Sequence, residues 1–145
     1  MNRTRALLGA VTVVASVATA GSLYFSLGLG LVPCTLCWYQ RILMYPLVVV
    51  SGVAAVESRP GVWRTVLPLS LAGTVVAAYH VYLQARPAAA GSCTLGGGCA
   101  AVQYPMLDGL LTIPRLSLVA FVLVSLLTLV VAWTTRDSAS SNPWT

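Results

Sequence analysis

Lysine is missing from this chain, acids number three and histidine one, and only 8% of its 145 residues are charged, where soluble domains carry roughly 25%. So little polarity cannot cover a water-facing surface, which excludes a soluble globular protein. The net charge of +5 rests on eight scattered arginines, too sparse for a nucleic-acid surface, so no nucleic-acid partner is expected. The apolar stretches show no alternation of period two, which excludes a transmembrane β-barrel. What remains is a chain that is 58% hydrophobic with a mean hydropathy of +0.87, the composition of an integral membrane protein in contact with lipid.

Four apolar stretches, about Ala6–Leu31, Trp38–Val56, Val66–Gln84 and Ile113–Trp133, each approach the roughly 20 residues that cross the hydrocarbon core as a helix. They predict an all-α fold: one integral membrane domain built as an antiparallel four-helix bundle, with a disordered polar tail over about 136–145. Pro68 and Pro114 are expected near helix starts, and Pro46 is expected to kink the second span. An even number of spans puts both termini on one side. Arg3, Arg5, Arg59, Arg64 and Arg136 share that side, against Arg41, Arg86 and Arg115 on the other, so the termini are expected in the cytoplasm of a cell-membrane protein. Arg3 and Arg5 followed by Ala18-Thr19-Ala20 also suggest a cleavable signal peptide, but the apolar run continues to Leu31, which suits a full span.

Four cysteines fall in two close pairs, Cys34 with Cys37 and Cys93 with Cys99, both on the extracytoplasmic side in this topology, where disulfides persist. Cys34 and Cys37 form a C-x-x-C at the start of the second span, where unpaired helix N–H groups favour a thiolate. Arg41 lies one turn beyond Cys37, about 6 Å along the axis, at an expensive depth for a permanent charge. It would stabilise a thiolate or an anionic redox cofactor; its bland role is to snorkel to the interface. Cys93 and Cys99 sit in a loop of small residues that suits movement between pairs. The wide separation of the pairs and the lack of flanking histidine disfavour a zinc site, so no metal is expected. A thioredoxin fold would need a soluble βαβ context that is absent. His80, the single histidine, reads equally as a satisfied structural group or as a lining of the same site as Arg41. Gln103 to Leu110, with Asp108 within it, suggests a short surface-lying segment.

The run Cys34-Thr35-Leu36-Cys37-Trp38-Tyr39-Gln40-Arg41-Ile42-Leu43-Met44-Tyr45-Pro46 resembles the signature of the DsbB/BdbC disulfide bond formation proteins, the BdbC branch most closely. The similarity continues at Tyr79-His80, at Cys93 and Cys99, and at Thr112-Ile113-Pro114. The spacing of Cys93 and Cys99 is shorter than in the DsbB branch, and Gln40 stands where that branch has an acid. The resemblance implies a thiol:quinone oxidoreductase that reoxidises an extracytoplasmic thioredoxin-fold thiol oxidase and passes two electrons to a membrane quinone, ubiquinone or menaquinone. It implies catalytic roles for all four cysteines, with Cys93 and Cys99 facing the partner and Cys34 and Cys37 accepting the electrons. Arg41 and His80 would be neighbours of the quinone. Vitamin K epoxide reductases share such parts in the reverse chain order. A membrane scaffold with two structural disulfides would leave Arg41 without a role.

Overall fold

In hydrocarbon a backbone N–H or C=O finds no partner outside its own chain, so long apolar runs without strand alternation close their hydrogen bonds as helices. The computed structural model describes residues 2–86, 99 and 112–140, and no strand occurs among the described residues. Its helices are α1 (Asn2–Leu23), which runs on into a π-helical turn at Tyr24–Gly28, then α2 (Thr35–Glu57), a 3-10 turn (Pro60–Val62), α3 (Trp63–Ala85) and α4 (Ile113–Ser140). The four long segments are each long and apolar enough to cross a membrane, which makes this an all-α, multi-pass membrane protein.

The helices form a ring: α1 packs on α2 and α4, α3 packs on α4 and α2, and the diagonal pair α2 and α4 barely touch. Small and branched residues make the centre, where Val11, Ala15, Leu47, Val66, Ala77, Phe121 and Val124 are all sealed from the surface. The ring of Phe121 presses on the bare backbone of Gly73, so a Cβ at that position would overlap it. Hydroxyls tie neighbours across the ring: Thr12 meets Ser51 at 3.0 Å between α1 and α2, and Ser125 donates to Ser70 at 2.9 Å between α4 and α3. Each such bond contributes on the order of 0.6 kcal/mol in a membrane bundle.

The two ends differ in chemistry. At the end holding the start of α1, the Arg64 and Arg136 guanidiniums lie 5.6 and 5.5 Å from the Trp63 ring, and an exposed Arg59–Glu57 ion pair closes at 3.1 Å. Ser58 joins α2 to the next turn in the left-handed region at φ 54°, and the Arg59 N–H caps the helix through the Ala54 carbonyl. At the opposite end lie the π-helical turn, the first turn of α2, the last turn of α3 and the start of α4, and there Cys34, Cys37 and Cys99 gather.

Several boundaries differ from those read in the sequence. The second helix begins at Thr35, three residues before the apolar run at Trp38, which puts Cys37 in its first turn. The third begins at Trp63, launched by the 3-10 turn at Pro60, and this puts Pro68 in the second turn, where it withholds a hydrogen bond from Arg64 instead of sitting harmlessly at the start. The fourth runs through Ser140, so 136 to 140 are helical where a disordered tail was expected. Residues 141 to 145, and the surface segment expected at Gln103 to Leu110, lie outside the described residues.

Candidate redox site

Cys34 is the N-cap of α2, in extended conformation, and its carbonyl accepts the Trp38 N–H at 3.1 Å. Cys37 therefore stands in the first turn of the helix, back over Cys34, and the two sulfurs lie 3.0 Å apart. Their surroundings overlap but are not the same. Cys34, 3% exposed, belongs to a buried cluster with Leu83 at the end of α3 and Cys99. Cys37 packs against that cluster too, and it also lines a cavity that Cys34 does not reach.

That cavity, about 460 Å³, lies between the first half of α2, the second half of α1 and the start of α4. Its size is within the roughly 300–1,000 Å³ of small-molecule sites. Its walls are almost wholly apolar, and Val13, Val17, Val119 and Leu123 belong both to it and to the exposed apolar surface. It thus opens sideways, between α1 and α4, to the face that meets lipid.

Arg41, one turn beyond Cys37, brings the cavity its charge, and its head group is fixed. The Arg41 Nε–H donates to Ser22 Oγ at 2.8 Å and Nη2 donates to the Ser22 carbonyl at 2.9 Å and to Ser26 Oγ. The π-helical turn makes this possible. By closing Leu29 N–H on the Tyr24 carbonyl, five residues back, it widens the end of α1, and Ser22 and Ser26 both turn toward α2. The guanidinium also lies 5.4 Å from the Trp38 ring. An arginine held by three donor contacts is not snorkelling. One turn further along the same face, the Tyr45 hydroxyl is buried with no hydrogen-bond partner among the described residues, on a side chain that lines the cavity.

His80 is elsewhere. Its ring, 2% exposed, lies on the Cys34 side of α2, with Nε2 at 3.1 Å from the Cys99 carbonyl and 3.8 Å from Cys34 Sγ. Nδ1 is 3.1 Å from the Gln40 side-chain nitrogen. His80 is not among the residues that line the cavity, and it reaches that wall only through Gln40; the rotation of α3 aims it between α2 and Cys99. Gln84, a turn further, accepts from Thr112 at 3.0 Å and ties α3 to the start of α4. Cys34, Cys37 and His80 hold their ligand atoms within 4.8 Å of one another, a spacing that a soft metal ion tolerates. A carbonyl oxygen facing Nε2, however, requires a proton there rather than a free lone pair. Cys93 lies outside the described residues.

A protein that sets one sulfur of a pair beside a third cysteine and the other beside a lipid-open cavity is built for thiol–disulfide chemistry, and its relatives agree. The sequence model of the family described as "Disulfide bond formation protein DsbB" matches residues 2–131. The chain belongs to the DsbB family. It is 44% identical to "Disulfide bond formation protein C" of Bacillus subtilis (strain 168) over 114 residues, 77% of this chain and 82% of that one. A "Probable disulfide formation protein" of Oceanobacillus iheyensis is 38% identical across 86% of this chain and 88% of its own. Another, of Metapseudomonas resinovorans, is 34% identical across 81% and 83%. No solved structure matches. Forming a disulfide removes two electrons from two thiols, so membership makes the chain a membrane disulfide oxidoreductase. Within this DsbB-family chain, sequence reasoning passed over Ser22, Ser26 and Tyr45. Ser22 and Ser26, four residues apart, and Tyr45, four beyond Arg41, carried a helical-spacing signal, but nothing in it says which helix faces which.

Proposed function

We propose that this protein reoxidises an extracytoplasmic thioredoxin-fold thiol oxidase and delivers the electrons to a quinone, ubiquinone or menaquinone, in the cavity beside Cys37. The observation that carries the reading is the placement of the C-x-x-C: both sulfurs stand at the buried cluster that holds Cys99, and Cys37 with Arg41 also forms the wall of an apolar chamber open toward lipid. The chamber fits such a group by its size, its side opening, its single fixed cation and the unpartnered Tyr45 hydroxyl. Cys37, Arg41 and Tyr45 would hold it. When bound, a quinone supplies an acceptor for two electrons and two protons that dissolves in the bilayer.

The order of the thiol steps is the one the family resemblance implies. A partner thiolate attacks Cys93 of the Cys93–Cys99 disulfide and Cys99 leaves as thiolate. Cys99 attacks Cys34 of the Cys34–Cys37 disulfide; the Cys99–Cys34 bond forms, and Cys37 departs as thiolate one turn from the Arg41 charge. The second partner thiolate displaces Cys93, completing the partner's disulfide, and Cys93 in turn displaces Cys34 from Cys99. The loop pair is again oxidised and two electrons rest on Cys34 and Cys37. The arginine-rich end would face the cytoplasm with both termini, and the cysteines the outside.

The test is direct. Purified protein mixed with a reduced thioredoxin-fold oxidase and a soluble quinone should bleach the quinone absorbance, and Cys34→Ser or Cys37→Ser should abolish this while the protein stays folded in detergent. Wild-type turnover in either variant would remove the C-x-x-C from the electron path.

A further inference from the structure

Gln40 and His80 form a buried polar pair, 6% and 2% exposed, that bridges α2 and α3, and Gln40 also lines the cavity. The carbonyl of Cys99 only accepts, so the His80 Nε2 that lies 3.1 Å from it carries the proton. The Gln40 amide nitrogen only donates, so the Nδ1 it meets at 3.1 Å is the bare nitrogen. The two contacts select one neutral tautomer, and its single N–H points into the angle between the Cys99 carbonyl and Cys34 Sγ at 3.8 Å.

We propose that His80 is a catalytic hydrogen-bond donor to Cys34, and that Gln40 is the positioning residue that keeps the proton on the nitrogen facing the sulfur. This rests on the exchange order given above. While Cys99 is docked, the N–H holds its backbone carbonyl and so sets its sulfur beside Cys34. When Cys93 attacks Cys99, the Cys99–Cys34 bond breaks, the electron pair goes to Cys34 Sγ, and the same N–H turns from the carbonyl to the new thiolate. No proton leaves the ring. A donor at this place lowers the barrier because a sulfur buried among Leu83, Leu36 and Cys99 has little water to solvate its charge.

The chain has one histidine, so full-length protein labelled with 15N-histidine and kept in detergent gives the signals of one ring. The expected wild-type spectrum has the proton on Nε2, and Gln40→Leu should give a mixture of tautomers. A proton on Nδ1 in the wild type would overturn the proposal. For kinetics, fully oxidised protein without quinone is mixed with an excess of reduced thioredoxin-fold oxidase, quenched in acid and alkylated, so that reduction of each cysteine pair is timed separately. His80→Phe should slow the reduction of Cys34–Cys37 by about ten- to hundred-fold more than it slows reduction of Cys93–Cys99 by the partner, the loss expected for one hydrogen bond to a developing charge. His80→Gln, which keeps a donor, should recover part of that rate, and Gln40→Leu should lose a few-fold. Cys34–Cys37 reduction at the wild-type rate in His80→Phe, or no difference between the Phe and Gln variants, would refute the role of His80. If Cys34 and Cys37 are never reduced in the wild type, the relay itself fails, and that outcome is seen before any variant is made. Should His80→Phe not fold, the wild-type spectrum and the Gln variant still decide.

Discussion

Tyr45→Phe should make the quinone-free protein more stable and its quinone binding weaker, two effects of opposite sign from one oxygen. The Tyr45 side chain lines the cavity, but its hydroxyl is buried behind the wall with no partner among the described residues, and a buried hydroxyl left unpaired costs roughly 1–3 kcal/mol. The ring keeps its place when the oxygen is removed, so no apolar contact is lost and no cavity is opened in the core. Taking about 1–2 kcal/mol of that penalty as recovered, the midpoint of thermal unfolding should rise by roughly 3–6 °C for a chain of this length. With quinone present that advantage shrinks: the wild type gains a hydrogen bond worth about 0.5–1.5 kcal/mol net, so the variant should bind roughly 2- to 12-fold more weakly. The assay is thermal unfolding in detergent with and without a short-chain quinone, paired with a titration of tryptophan quenching, for which Trp38 beside Arg41 is the nearby reporter. A variant that is less stable alone and binds quinone as tightly as the wild type would show that the hydroxyl has a structural partner and no part in the cavity.

Arg41→Met should raise the apparent Michaelis constant for quinone more than Arg41→Lys does, because lysine keeps the charge but cannot reach Ser22 and Ser26 together; equal values at limiting quinone would leave Arg41 without a role in the cavity. Gly73→Ala should destabilise the bundle by about 1–3 kcal/mol, seen in thermal unfolding, since its Cβ would enter the ring of Phe121; Phe121→Leu in the same chain should restore part of the loss. A tag on the C-terminus should be found in the cytoplasm, and after reduction membrane-impermeant thiol reagents should reach Cys93 from outside; a tag outside would overturn the topology read from the arginines.

The bundle was legible because hydrocarbon leaves a 20-residue apolar run few alternatives, and the C-x-x-C with Arg41 was legible because both lie on one helix, where four-residue spacing fixes the face they share. His80 was not. Whether a histidine near the end of α3 meets Cys34 or the cavity depends on how α3 is rotated against α2, and a helix that is apolar on nearly every face carries no stripe from which to read rotation. The Ser22 and Ser26 cradle was hidden for another reason. It exists because the end of α1 widens into a π-helical turn, and an apolar-aromatic run such as Leu23-Tyr24-Phe25 gives no sign of that in sequence. Helix ends were misplaced in the same way: Pro60 started a 3-10 turn that carried α3 backward to Trp63, past the point where Pro68 alone suggests a beginning.

On the proposed reading, the division of labour between the two sulfurs is a consequence of helix geometry. Cys34 at the cap position and Cys37 one turn on are close enough to share a bond, yet they leave α2 in directions that differ enough to touch different neighbours. Cys34 has one imidazole beside it, which suits sulfur-to-sulfur exchange: charge passes from thiolate to thiolate and a single N–H follows it. The Cys37 side holds a full positive charge in an apolar chamber, which suits electrons that must leave the protein with a lipid-soluble carrier. Exchanging the two environments would place a permanent cation against the docking cysteine and a neutral ring in the chamber. The thiolate would then be stabilised on Cys34, within reach of Cys99, and the electrons would be held where they can only return to the loop pair. A guanidinium four residues beyond the second cysteine, and not the first, is what gives the relay its direction.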